Sequence, residues 1–390
     1  MRTKNFVIKV IIIITVLIGL LGNGLFQKTV AQHVYEPSEL VAQQSIEAVG
    51  AVESVETEPV ETVETVETEA LNVGELIIEH VVDAHVWHFM TLPNGKEVAI
   101  YLPMILFHQG KLYCFSSRHL YHTPEHSYKG FEIAHEKVVY RQADGKLSEA
   151  KVFDFSITKV VAGIFISCTL LLVIFLFMAS VYKKNQGKAP KGLWNAVEMG
   201  VMFVRDDIAK PSIGKHYEKF MPFLLTVFFF IFINNLLGQI PGSPNVTGNI
   251  AITLTLALFT YIIVTFSGNR HYWKEILNPE VPMLMKFPIP LMPVIEFIGT
   301  ITKPFALTMR LFANVTAGHI VMLGFTCLIF LLGARAMSWG YISSVLSVFL
   351  SVFMYILELL IAFIQAFIFT LLSAIYIGLA TADPHQKESH

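Results

Sequence analysis

Six polar side chains stand where the sequence is otherwise apolar, and their types suit the movement of protons. Arg310 sits in Ala306-Leu307-Thr308-Met309-Arg310-Leu311-Phe312-Ala313-Asn314, with no acid within a turn or two along its own run. A central arginine costs about 2.5–3.5 kcal/mol on membrane-insertion scales, so something outside this run must offset it. Asn314 follows at i+4 on the same helical face. His319 comes about 13 Å further along a helix axis. A second apolar run carries Glu358 and Gln365, seven apart and therefore on one face. Glu296 precedes Arg310 by fourteen residues. A histidine beside a carboxylate can pass protons near neutral pH, because each lowers the cost of charging the other. An unpaired arginine between two such stations is a barrier to cations moving straight through.

The elements that must position these groups are unusually long. The apolar runs 291–332 and 341–380 are each about 40 residues, or about 60 Å if helical, against a hydrocarbon core of about 30 Å. Two shorter spans per run are the alternative, but no charged loop divides either run; Pro304 could kink the first. A mismatch this large predicts one strongly tilted hairpin with other protein to lie against. In an antiparallel hairpin, facing residues lie equally far from the turn. Arg310 with Gln365, and His319 with Glu358, both have midpoints near Met337-Ser338, inside the polar break 333–340. The register therefore predicts Gln365 beside Arg310 and Glu358 beside His319. An interhelical ion pair that merely locks the hairpin would account for the second pair, but it leaves Arg310 unpaired.

The rest of the chain agrees with a membrane protein. Of 390 residues, 54% are hydrophobic and 15% charged, and the mean hydropathy is +0.58. Soluble domains are nearer a quarter charged. A net charge of −2 offers no basic excess for nucleic acid, and three cysteines, two of them in apolar runs, make no disulfide framework. Residues 1–31 read as an export signal: Arg2, Lys4 and Lys9 precede an apolar stretch and the small-residue site Thr29-Val30-Ala31, with an uncleaved anchor as the alternative. Residues 32–71 repeat Val-Glu-Thr, contain no Lys or Arg, and read as a disordered acidic tether. Residues 72–150 read as a small β-rich extracytoplasmic domain, with turns at Asn94-Gly95, Gln109-Gly110 and Asp144-Gly145. Pro124 interrupts the helix that a metal site on His119, His122 and His126 would need, so surface histidines are expected there.

Residues 151–382 form the predicted membrane domain, followed by a tail at 383–390. Spans are expected at 160–182, 220–240 and 250–266 ahead of the two long runs. Lys183, Lys184, Lys188 and Lys191 follow the first span, and Arg270 and Lys274 follow the third, while the loop after the second is uncharged. By the positive-inside rule the first and third spans run inward, as an exported N-terminal domain requires. The fourth then runs outward, placing His319 and Glu358 on the extracytoplasmic side of Arg310 and Glu296 on the cytoplasmic side. The fold class is an all-α polytopic membrane protein of five transmembrane helices, including the tilted C-terminal hairpin, plus the β-rich outer domain.

At these residues the sequence resembles subunit a of the bacterial F-type ATP synthase, over roughly residues 150–382. The resemblance rests on Arg310-Leu311-Phe312-Ala313-Asn314 with Ala317-Gly318, on Gln365-Ala366-Phe367-Ile368-Phe369, on Glu296 before Lys303-Pro304, and on Asn235 near Pro241. It implies that the partner of Arg310 is the ion-carrying carboxylate of a rotating c-subunit ring, and that Asn314, His319, Glu358 and Gln365 are channel positions. It further implies a b-subunit stalk and an F1 sector as partners, a bacterial inner membrane location, and no cofactor, metal or catalytic chemistry on this chain. Some members carry the acid and the histidine on the opposite arms, and some carry an acid where Gly238 stands. Region 32–150 lies outside the family pattern. Two other readings are a secondary transporter with a cation site at the midplane, and a purely structural anchor.

Overall fold

The structure is a computed structural model that describes residues 83–91, 97–121, 123, 127–134, 137–141, 152–184, 192–240, 242–277, 291–335 and 337–382. The expected signal, the whole expected tether, the turns at Asn94 and Asp144, His122, Pro124, His126 and the C-terminal tail from 383 lie outside the described residues.

The N-terminal part is built from hairpins. Strands β1 (Val86–Thr91) and β2 (Glu97–Tyr101) pair antiparallel. β3 (Pro103–His108) pairs with β4 (Lys111–Ser116) through Gln109-Gly110, where both residues take positive φ (48° and 79°) as a two-residue hairpin turn demands. A one-turn helix α1 (Arg118–Tyr121) leads to β5 (Ser127–Tyr128), β6 (Phe131–Ala134) and β7 (Lys137–Tyr140). β8 (Phe153–Asp154) then returns to pair with β3. Alternation along β3 buries Met104, Leu106 and His108, and the first two join Leu120 and Phe131 in a small core.

The chain passes without a linker into α2 (Lys159–Lys184). Asp83 Oδ1 accepts from the backbone N–H of Val160 at 3.2 Å, and Ala84 O accepts from that of Lys159 at 2.9 Å. The first turn of α2 is thereby capped from a segment far back in sequence. Val160, Ile164, Cys168 and Leu171 recur at helical spacing and form its buried stripe.

Next come α3 (Leu193–Phe203), a π-helical turn at Val204–Ala209, α4 (Lys210–Ile213), a 3-10 turn and α5 (Tyr217–Gly238). Helix thus begins well before the span expected at 220–240. Helix α5 is apolar all round and is the most enclosed element: Leu224, Val227, Phe228 and Ile231 are fully buried. It packs against α2 on one side and the last helix on the other.

A loop at 239–249 leads to α6 (Ile250–Ser267), whose N-cap Asn249 accepts from the Ala251 N–H. Then follow the short α7 (Arg270–Leu277) and two 45-residue helices, α8 (Leu291–Arg335) and α9 (Met337–Thr381). These two pack against each other. Pro304 lies inside α8. The far end of α9 is pinned: Asn269 donates its backbone N–H to Ala380 O and its Nδ2 to Thr381 O, answering two of the helix's last carbonyls. Gly378 packs directly on the Ser212 carbonyl of α4, where any side chain would collide. Among the described residues, five helices are long and apolar enough to cross a membrane.

Candidate functional site: a polar seam along the two long helices

Seen from the sequence, Arg310 and Asn314 should share a face of one helix. On α8 they do, and the face is open. Ala306, Arg310, Ala313, Asn314 and Ala317 are all exposed at successive turns. A stripe of small residues lets another helix come close. Arg310 makes no hydrogen bond or ion pair with any described residue of the chain; Tyr376 of α9 is near enough to feel its charge. The charge that the chain does not neutralise is therefore presented on its surface.

On α9 the polar pair points the other way. Glu358 and Gln365 are buried, 8% and 4% exposed, within a helix whose opposite face carries exposed Leu359, Leu360 and Phe363. Glu358 fits against Gly318: a Cβ at that glycine would lie 2.5 Å from Glu358 Oε1. This contact fixes the level of the two helices. Arg310 is eight residues before Gly318 and Gln365 seven after Glu358, so both lie about 11–12 Å along the axes from it.

The expected His319–Glu358 pair takes a different form. The two side chains form neither a hydrogen bond nor an ion pair. Glu358 meets the backbone of Gly318, and the His319 ring turns toward α5, with Nε2 3.9 Å from where a Cβ would stand on Gly238. At Gly318 the reason is steric, since only glycine there admits the carboxylate; at 238 a Cβ would meet the imidazole at ordinary contact distance. Glu358 Oε2 is buried without a hydrogen-bond partner among the described residues. A buried carboxylate oxygen with no donor is costly when charged, so such a group suits taking and giving up a proton.

Around these groups is a polar shell that periodicity did not reveal. Thr247 Oγ1 donates to Asn235 Oδ1 at 2.6 Å, and Asn235 Nδ2 donates to Ala362 O on α9. Asn245 Oδ1 accepts from the Gly248 N–H and lies 3.7 Å from the Gly238 Cβ position, beside His319. Uncharged loop residues next to a uniformly buried helix carry no pattern in sequence; only the Asn235–Pro241 fragment pointed here.

Glu296 is half-buried near the start of α8. Its charge reaches Tyr272 of α7. Tyr272 and Tyr376 line a small cavity with Thr260, Tyr261, Thr300 and Lys303, between α6, α7, α8 and α9. Its free volume of about 20 Å³ is room for about one water. Lys303 Nζ lies 5.5 Å from the centre of the Tyr376 ring. Glu296 and this cavity fall on one side of Arg310 along α8, His319 on the other. Among the described residues no group of three or more His, Cys, Asp or Glu is placed to hold a metal.

The membrane part of the chain is similar to known proteins. Residues 163–378 match the family model described as ATP synthase A chain. "ATP synthase subunit a" of Chloroherpeton thalassium is 41% identical over 245 residues, covering 61% of this chain and 71% of the relative. "ATP synthase subunit a 2" of Chlorobaculum tepidum is 46% identical over 249 residues, 62% of this chain and 68% of the relative. "ATP synthase subunit a" of Myxococcus xanthus is 42% identical, covering 61% and 77%. The chain belongs to the ATP synthase A chain family, the proton-channel stator subunits of the F0 membrane sector. It is a multi-pass membrane protein that translocates protons and carries no catalytic chemistry of its own. Residues 76–155 match a second family, described only as a domain of unknown function.

Proposed function

We propose that protons enter this subunit from the extracytoplasmic side past Glu358 and His319, transfer to a carboxylate of a c-subunit ring, and leave past Glu296. The observation that carries the reading is the uncovered Arg310 on a stripe of small residues. A helix of the ring fits closely against Ala306, Ala313 and Ala317, and brings the missing carboxylate to the guanidinium. An opposite charge favours the ionised acid, so Arg310 drives release of the arriving proton and blocks direct passage between the two halves. Asn314 and Gln365, at the same level, supply neutral hydrogen-bonding groups that position the pair without adding charge.

The two halves are offset in kind as well as in level. The entry is carboxylate and imidazole, able to exchange protons with a near-neutral exterior. The exit is Glu296 with the tyrosines and threonines of the water-sized cavity, a hydroxyl-lined route to the cytoplasm. In this reading α8 and α9 form one tilted hairpin lying against the ring, the N-terminal domain faces the exterior of the inner membrane, and the C-terminus is cytoplasmic. A b-subunit stalk holds the chain stationary while the ring turns and drives the F1 sector. Arg310→Ala in the assembled complex should abolish ATP synthesis driven by an imposed proton gradient in vesicles. Synthesis that survives this substitution would remove Arg310, and the reading, from the mechanism.

A further inference from the structure

The extracytoplasmic domain is not joined to the membrane part by chain connectivity alone. Trp87 of β1 donates its indole Nε1–H to the carbonyl of Gly242, at 2.5 Å, in the loop 239–249 between α5 and α6. That loop is gripped on every side. Pro244 and Val246 press on Gly163 of α2, where a Cβ would come within 2.6 and 2.9 Å of them. Thr247 bonds Asn235 of α5, Thr316 of α8 bonds Gly248 O at 3.5 Å, and Tyr355 of α9 donates to Gln239 O at 2.5 Å. Asn245, in its middle, stands beside Gly238 and His319. The loop therefore touches both arms of the proton seam at the level of His319 and Glu358. The domain reaches it from outside.

The domain is rigidly seated for this task. Asp83 and Ala84 cap α2, and the stretch after β8 bonds back to the sheet, Phe155 N–H to Ile105 O and Ile157 N–H to Pro103 O. His85, two residues before Trp87, pairs through Nε2 with Asp154 at 2.9 Å, tying the start of β1 to the stretch that leads into α2. A displacement of the domain is thus a displacement of Trp87, and through Gly242 of the loop.

We infer that the N-terminal domain is a clamp on the proton entry, and that Trp87 is the residue through which it positions the 239–249 loop over His319. The inference rests on the proposed entry path. It gives the domain a role in setting how readily external protons reach His319 and Glu358, with no chemistry of its own. Trp87 acts through the loop and is a positioning residue.

The test uses the whole complex in vesicles, with passive proton flux through F0 measured while external and cytoplasmic-side pH are varied separately. Trp87→Phe keeps an aromatic ring and loses the donor. The expected result is a shift of about fivefold in the external proton concentration giving half-maximal flux, the size of one lost hydrogen bond. The dependence on cytoplasmic-side pH stays unchanged. Trp87→His, which restores a ring N–H, should return the half-saturation toward the parent value. Faster amide hydrogen exchange confined to 239–249 in the Trp87→Phe complex supports the clamp independently of flux. A merely structural role lowers maximal flux in step with assembled complex and shifts nothing. Unchanged external half-saturation, or unchanged exchange in the loop, overturns the inference. Arg310→Ala serves as the separating control: if it retains coupled transport, the entry path itself falls. If it abolishes transport while Trp87→Phe is silent, only the clamp falls.

Discussion

Glu358 of α9 is seated on Gly318 of α8, one residue from His319, with its Oε1 2.5 Å from the position of a methyl group there. The fit requires glycine. Gly318→Ala forces the carboxylate to swing or the two helices to part, a strain of about 1–3 kcal/mol for an added methyl in a packed site. The expected outcome is a complex that assembles and hydrolyses ATP while its proton pumping falls about tenfold, about 1.4 kcal/mol of barrier. Acidification of inverted vesicles on adding ATP is the measurement. Unchanged pumping would separate Glu358 from the path.

Thr247 Oγ1 donates to Asn235 Oδ1 and so bonds the 239–249 loop to α5. Thr247→Val keeps shape and leaves Asn235 Oδ1 buried without its donor, at a cost of about 1–3 kcal/mol. Thr247→Ser should restore most of that loss. Thermal unfolding of the purified complex ranks the three.

The two acids at the domain–membrane junction respond to pH with opposite signs. Burial pushes the Asp154 carboxyl up, but the bond and charge of His85, with two bonds from Ser156, outweigh it and hold the group below the usual carboxylate range. Its contribution is full above the ordinary value of about 3.9 and is lost as pH falls through the lower folded value. Asp83 is held above that range: burial dominates, against bonds from Thr158 and the Val160 N–H and the charge of Lys159. The folded chain therefore binds the proton more readily, and stability from Asp83 is lost as pH rises through its folded value. Asp154→Asn should loosen the domain at neutral pH and matter little in strong acid. Asp83→Asn, which keeps the capping oxygen, should tighten it at neutral pH. Limited proteolysis of the domain across pH reads both.

Glu296 and the water-sized cavity predict a slow exit when altered. Glu296→Gln should reduce synthesis about tenfold, equivalent to about 1.4 kcal/mol. The change should appear in the dependence on cytoplasmic-side pH and leave the external dependence untouched. An effect on the external side instead would reassign Glu296.

The spans and the polar seam were legible because both are written in short-range pattern. Apolar run length set α2, α6 and the two long helices to within a few residues, and spacing alone put Arg310 with Asn314 and Glu358 with Gln365. The turn Gln109-Gly110 was readable from its residue types. What stayed hidden was long-range and unperiodic. Nothing in local spacing says that His319 turns to Gly238, that Glu358 prefers Gly318 to the imidazole, or that Trp87 reaches Gly242, 155 residues away. The helix from Leu193 lies ahead of the expected span; a π-helical turn continues it toward Ile213, and Gly214 at φ 74° ends it before α5. The described residues between 83 and 155 form hairpins, yet Gly242, which Trp87 reaches, lies in a loop with no charge and no repeat.

The cap that Asp83 places on Val160 also decides where the chain can be cut. The N-terminal domain is not a detachable module: trimming the chain up to the start of α2 strips that helix of its N-terminal acceptor and bares its first amides, a cost of about 1 kcal/mol. Every N-terminal deletion reaching past residue 83 is at once a domain removal and a helix-cap mutation. A change in proton flux on deletion belongs to the domain only to the extent that Asp83→Ala, in the full-length chain, fails to reproduce it.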